Sequence, residues 1–457
     1  MTTRGRVTFA LALLFAINTM NFFDRQILGV VTEPIRKEWN LSDTQIGYLG
    51  TAFTLIYAVV GLPFGRLTDK IVRAKILAVG VFLWSLLTAA SGIARSYGQL
   101  FAYRLGVGIG EATCAPASAS LIGDLYPANK RAKAMSVFMM GLPIGIALSF
   151  AVGGWVAKAF NSWRPVFFIA AVPGLICAAL ALLIHEPTRG GTEVHDIGAR
   201  KREGSPFMLV LSIPTMWWLI ASGALHNFNM YAIGSFLSPF LSRYHGLDIK
   251  DAGFTSMIVY GLSGIPGLLL GGIVGDAVMR RRPNGRLLVG AICILASAPL
   301  NYFALGLPKG DLTTLTLLFG CGIGLTYAYY STVYSTIQDV IEPSLRGTAM
   351  AMYFCAMYVL GASLGPVGTG FASDYFTHKA ALAAGVTAVT REALEPFKAE
   401  GLRSAMYLIP ACGVLLTVVL FAGATTVTRD MQRLQRWMRE SAANADAPQA
   451  AVAEAQK

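Results

Sequence analysis

Four ionisable side chains, Asp24, Arg25, Arg104 and Glu111, sit inside long apolar runs of this chain. An ionised group held in hydrocarbon costs at least about 2.5–3.5 kcal/mol, so each needs a partner, water or a task. The spacing of Arg104 and Glu111 puts them on one face of a helix, about 10 Å apart along its axis. Two carboxylates and two guanidinium groups gathered in a solvated pocket could couple protons to an anion. Burial favours a neutral carboxyl, whereas a nearby Arg, itself always charged, favours the carboxylate. An anion that takes over the Arg therefore eases protonation of the acid, and the two binding events are linked. On this reading Asp24 carries the proton and Glu111 is a second titrating or charge-balancing site. Arg25 and Arg104 are headgroup clamps or switch partners. A permanently ionised structural network is the alternative.

The elements that must position these groups are membrane spans. Of 457 residues, 54% are hydrophobic and only 14% charged, against about 25% charged in soluble domains. So little charge cannot cover a large soluble fold. The net charge of +12 is scattered in short clusters between apolar runs, which excludes a basic nucleic-acid face. All six cysteines lie within apolar runs, outside any disulfide framework or metal-binding spacing, and no cofactor motif is present. Twelve stretches reach the roughly 20 residues a bilayer requires: 7–31, 43–65, 75–94, 98–122, 134–158, 165–185, 214–240, 252–276, 286–306, 312–337, 347–373 and 403–425. The basic start before Val7 lacks a cleavage pattern and reads as a retained first helix. Lys and Arg favour the side of the termini by about two to one, which places both termini in the cytoplasm.

The polar stretch 188–212 divides the spans six and six. It separates an N-terminal bundle, 1–187, from a C-terminal bundle, 213–428, followed by a cytoplasmic tail, 429–457. Met431, Leu434 and Met438 give the start of that tail one apolar stripe suited to the membrane surface, before an Ala-rich and disordered end. The halves resemble each other. Gly65 and Asp69 with Lys70 and Arg73 recur as Gly272 and Asp276 with Arg280, and Asp124 with Arg131 recurs as Asp339 with Arg346. Parallel repeats of this kind imply two six-helix bundles related by an axis along the membrane normal. The expected fold is all-α.

The doubled G-x-x-x-D loop resembles the signature of the major facilitator superfamily, departing from it at Val72 and Ala277. The resemblance implies alternating access. Gly65, Asp69, Lys70, Arg73, Asp124, Gly272, Asp276 and Arg280 would then latch the halves on the cytoplasmic side, unless the basic residues only fix topology. Asn21-Phe22-Phe23-Asp24-Arg25, the Arg104–Ala112 run and Gly123-Asp124-Leu125-Tyr126 resemble the spinster-like branch. That resemblance implies proton-coupled transport of a lysolipid or phosphorylated sphingoid lipid, with membrane lipids around a monomer in a bacterial inner membrane. Small organic anions such as sugar acids remain the alternative substrates.

The matching C-terminal positions are uncharged. His226, Asn227, Asn229 and Tyr231 in the seventh span, with Tyr327 and Tyr330 in the tenth, form a candidate aromatic-polar wall for the substrate. His226 could titrate, or pack through hydrogen bonds. Gly141-x-x-x-Gly145 with Pro143 and Gly365-Pro366 loosely resemble an antiporter signature, a lean toward exchange. Gly361-Ala362-Ser363-Leu364-Gly365 satisfies a hydrolase pattern, but in a span rather than on the strand-to-helix elbow that chemistry requires. The chain reads as a transporter, not an enzyme.

Overall fold

Caps and breakers end the helices where the apolar runs stop. Ser96, Asp248 and Asp311 each accept a hydrogen bond from the backbone N–H three residues on, opening three helices, while Gly246 closes another at φ 73°. The computed structural model describes residues 3–68, 71–188, 205–342, 345–386 and 390–455. Asp69, Lys70 and most of the 188–212 stretch lie outside the described residues.

In the first half the long helices are α1 (Thr3–Trp39), α2 (Asp43–Thr68), α3 (Arg73–Gly92), α4 (Tyr97–Leu125), α5 (Lys133–Ala159) and α6 (Arg164–Ala181). In the second they are α7 (Pro214–His245), α8 (Ile249–Met279), α9 (Gly285–Gly306), α10 (Leu312–Val340), α11 (Arg346–Ala383) and α12 (Leu408–Ala455). Eleven of these regions are long and apolar enough to cross a membrane. The twelfth, α7, falls short because His226, Asn227 and Asn229 interrupt its run, yet it is a 32-residue helix with most of its length buried.

Packing repeats with a period of six helices. In the first half α1 packs on α5, α3 on α6 and α4, and α2 on α4; the second half pairs α7 with α11, α9 with α12 and α10, and α8 with α10. Two wide, π-helical turns interrupt the second half, Met257–Leu262 in α8 and Met357–Ala362 in α11. The disordered tail expected from the sequence is not what the structure describes. α12 continues unbroken to Ala455. Asp430 anchors it by accepting from the Thr215 N–H at 3.0 Å and the Thr215 hydroxyl at 2.6 Å, and Met431 packs on the core of the second half.

The halves meet through α1 on α7, α2 on α11 and α5 on α8. Their tightest backbone contacts lie toward the face opposite the termini, here the far face. A Cβ on Gly29 would sit 2.0 Å from the Gly234 carbonyl oxygen, so only glycine allows α1 and α7 to approach this closely. A buried ionic network closes the same end. Arg243 of α7 forks onto Asp43 at 2.7 and 2.8 Å and reaches Glu33 at 2.6 Å. Arg36 binds Glu33 at 2.8 Å and Glu395 at 2.5 Å. The Asp374 carboxylate accepts from the N–H groups of Asp43 at 3.1 Å and Thr44 at 2.9 Å. Lys158 pairs with Asp248 beside this network.

Candidate functional site

The cluster forms because α1 carries Asn21, Asp24 and Arg25 on the side that α4 faces. Glu111 ends the straight part of α4, just before a turn at Ala112 and Thr113. Its carboxylate meets Arg25 Nε at 2.9 Å and accepts from the Asn21 amide at 3.0 Å. Arg104 donates to the Asp24 backbone carbonyl at 3.3 Å rather than to its carboxylate. The Thr88 hydroxyl reaches Asp24 Oδ2 at 3.4 Å. Asp24 Oδ1, Arg104 Nε and Glu111 Oε1 are buried with no hydrogen-bond partner among the described residues.

The sequence suggested a solvated pocket, and here the structure differs. Asp24, Arg25, Arg104 and Glu111 are only 2%, 8%, 2% and 0% exposed. Aromatic rings flank the two guanidinium groups. The Arg25 guanidinium lies 4.3 Å from the Tyr57 ring centroid, 5.0 Å from Phe22 and 5.4 Å from Phe53, and Arg104 lies 5.1 Å from Phe53. Such faces stabilise a guanidinium, and more strongly once it is desolvated. A cavity of about 20 Å³, water-sized, borders Arg25, Arg104, Phe53 and Tyr231.

The second half supplies the opposite wall. Arg25 Nη1 donates to the Tyr358 hydroxyl at 3.0 Å and to the Tyr231 hydroxyl at 3.5 Å. Tyr358 was not among the residues the sequence singled out, since nothing in an aromatic-rich span distinguishes it from packing. His226 stacks on Tyr329 at 3.9 Å and meets Tyr330 edge-on at 4.7 Å. Both its ring nitrogens are buried without a hydrogen-bond partner among the described residues, so its packing is aromatic, not hydrogen-bonded. Asn227 bonds the Gly223 carbonyl of its own helix at 3.1 Å, Asn229 bonds the Ile409 carbonyl at 3.1 Å, and Tyr327 bonds the Tyr260 carbonyl at 2.8 Å. Of this wall, Tyr231 touches the charged cluster directly. Ser363 sits in α11 with its hydroxyl on the Tyr358 carbonyl at 2.9 Å, the geometry of a helix and not of a nucleophile.

At the face of the termini, the described motif residues bind within each half. Arg73 pairs with Asp124 and with Glu186 at 2.6 Å, and donates to the Ser120 hydroxyl at 2.8 Å. In the second half Arg286 takes this role, binding Asp276 at 2.7 Å and also Asp339, while Arg280 is exposed. Arg286 escaped the sequence comparison because the α8–α9 loop shifts it out of register with Arg73. Gly65 and Gly272 lie within α2 and α8.

Comparison with known proteins agrees with this architecture. Residues 14–366 match the family model described as Major Facilitator Superfamily. An MFS-type efflux pump of Mycolicibacterium smegmatis is 28% identical over 80% of this chain and 85% of its own length. Protein spinster of Drosophila melanogaster is 28% identical over 80% of this chain and 62% of its own length. The crystal structure of a bacterial homologue of the human lysosomal transporter spinster, inward-facing and unoccupied, superposes with a TM-score of 0.79 at 27% identity, covering 93% of this chain and 98% of that one.

Proposed function

This chain belongs to the Major Facilitator Superfamily and is a transporter of the spinster type, and on that premise we propose that it moves an amphiphile with an anionic headgroup in exchange or symport with protons. The observation that carries the reading is Arg104. It is a buried cation whose described polar contact is a backbone carbonyl, and whose Nε has no hydrogen-bond partner among the described residues. A fixed, desolvated guanidinium beside a cavity is a site for an anionic oxygen. The facing tyrosines offer apolar area with polar tips, which suits a headgroup joined to a tail. A lysolipid or phosphorylated sphingoid lipid has that shape.

Protons enter through Asp24 and Glu111. An anion on Arg104 withdraws the positive charge that favours ionised Asp24, so substrate and proton bind in linked fashion. The excess of Lys and Arg on the terminal side supports a cytoplasmic placement of that face, in our reading at a bacterial inner membrane. The closed far face then corresponds to an inward-facing state, in keeping with the inward-facing form of the spinster homologue it resembles. Asp69, Lys70 and their partners would latch the opposite state. A single chain suffices for this cycle.

Binding of a lysophospholipid series to the purified protein tests the substrate class. Affinity should rise with tail length, by about 0.8 kcal/mol for each CH₂ that becomes buried, and Arg104→Gln should abolish it. Binding of a sugar acid with no response to any lysolipid would assign the site to small organic anions instead.

A further inference from the structure

We propose that Tyr358, on the π-helical turn of α11, is the positioning residue through which the charge state of the Arg25–Glu111 pair sets the contact between the two halves. The inference rests on the proton-coupled reading above. Arg25 is one rigid plane with two ends in use. Its Nε holds Glu111 in the first half at 2.9 Å, and its Nη1 holds the Tyr358 hydroxyl in the second at 3.0 Å. A planar fork cannot turn at one end without turning at the other.

The backbone continues the path. The Tyr358 carbonyl accepts from the Ser363 N–H at 2.9 Å, the five-residue step of the wide turn, and from the Ser363 hydroxyl. The Ser363 carbonyl in turn accepts from Thr51 of α2, and its hydroxyl meets that of Thr54 at 3.1 Å. Hydrogen bonds therefore run from Glu111 through Arg25, Tyr358 and Ser363 to the α2–α11 seam. Wide turns of this kind are rare inside helices and recur at functional sites. The twin turn in α8 is wired differently: its Tyr260 donates to the Met230 carbonyl of its own half at 2.8 Å, and its polar contact across the seam is with a neutral amide, that of Gln26, with no ion pair behind it among the described residues.

The titratable and charged groups facing this junction are Asp24 from α1, Arg104, Glu111 and Cys114 from α4, Tyr57 from α2, Tyr231 from α7 and Tyr334 from α10. Of the two carboxylates, Glu111 is the one bonded to Arg25. While it is ionised it pins the guanidinium, Nη1 stays on Tyr358, and α11 is held against α2. Once it is neutral the guanidinium is released and that hold on α11 is lost.

Hydrogen exchange of the full chain in lipid nanodiscs tests this without a known substrate. The Asp43 and Thr44 amides are protected by Asp374 across the far face, so their exchange reports its opening. In wild type their exchange, corrected for the intrinsic pH effect, should step upward as pH falls. Tyr358→Phe keeps the ring beside Tyr57, 4.9 Å away, and loses only the hydroxyl. Its exchange should be raised about 5–150-fold at the higher pH, the span of ordinary coupling energies, and the step should vanish. Tyr334→Phe, a hydroxyl loss in the same aromatic cluster, should keep the step. Unchanged protection of α3, packed inside one half, establishes that the variants are folded. A Tyr358→Phe chain with the wild-type step overturns the relay. If Glu111→Gln has meanwhile lost its step, proton coupling stands without the relay. A wild type with no step, unaltered by Glu111→Gln, overturns both.

Discussion

Arg25 and Glu111 neutralise each other, whereas Asp24 Oδ1 and Arg104 Nε are buried with no hydrogen-bond partner among the described residues. The two acids should therefore respond differently to removal of their charge. Glu111→Gln strands a desolvated guanidinium, and breaking a buried pair from one side costs about 3–5 kcal/mol. Asp24→Asn breaks no direct ion pair among the described residues and keeps the carbonyl that Arg104 bonds, so it should cost less than Glu111→Gln. Thermal unfolding of the two purified variants distinguishes these outcomes; equal destabilisation would mean that Asp24 is paired as tightly as Glu111. All four charges were legible in the sequence because apolar runs make an ionisable residue conspicuous. Their pairing was not. Spacing along α4 fixes a face but not its rotation against α1, so it could not show that Glu111 takes Arg25 while Arg104 takes a carbonyl. Tyr358 was invisible for a different reason, since an aromatic residue in an aromatic-rich span carries no pattern of its own.

Helices slide or lock according to what lies between them. At the α1–α7 crossing nothing lies between Gly29 and the Gly234 carbonyl, and a Cβ would intrude to 2.0 Å. A methyl group there must push the helices apart at the end where the halves are now closed. Gly29→Ala should therefore shift the population toward an open far face, by about 1–3 kcal/mol if one overpacked contact sets the scale. Faster exchange of the Asp43 and Thr44 amides would report the shift; unchanged exchange would mean the crossing relaxes without opening. Helix positions were legible from apolar run lengths, and the six-helix period from the doubled Asp motif. The wide turns were not, because the sequences of Met257–Leu262 and Met357–Ala362 are ordinary apolar helix. The turns pack against α5, α7 and α2, contacts that leave no local pattern in the sequence.

Across the whole molecule, two structurally similar halves are held at one end by charges drawn from both. Glu33, Arg36 and Asp43 come from the first half, and Arg243, Asp374 and Glu395 from the second. At helix ends such residues look like ordinary loop charge, so their convergence could be read only from the fold. Arg243 serves two carboxylates at once. Arg243→Gln should leave Glu33 and Asp43 facing each other and open the far face, with a loss on the order of 3–5 kcal/mol to the closed state. Labelling of a cysteine introduced at Thr51 by a membrane-impermeant thiol reagent added from the far side would detect it. No gain in labelling would mean that the network does not hold the far face closed.

The central claim is that buried carboxylates in the first half couple protons to an anionic amphiphile. Proteoliposomes holding a pH-sensitive dye test it most directly, with wild type and Asp24→Asn compared on addition of a lysophospholipid. Lipid-dependent proton flux in wild type, absent from Asp24→Asn while lipid binding is retained, is the expected result. Equal flux in both proteins would contradict the assignment of Asp24 as the proton carrier.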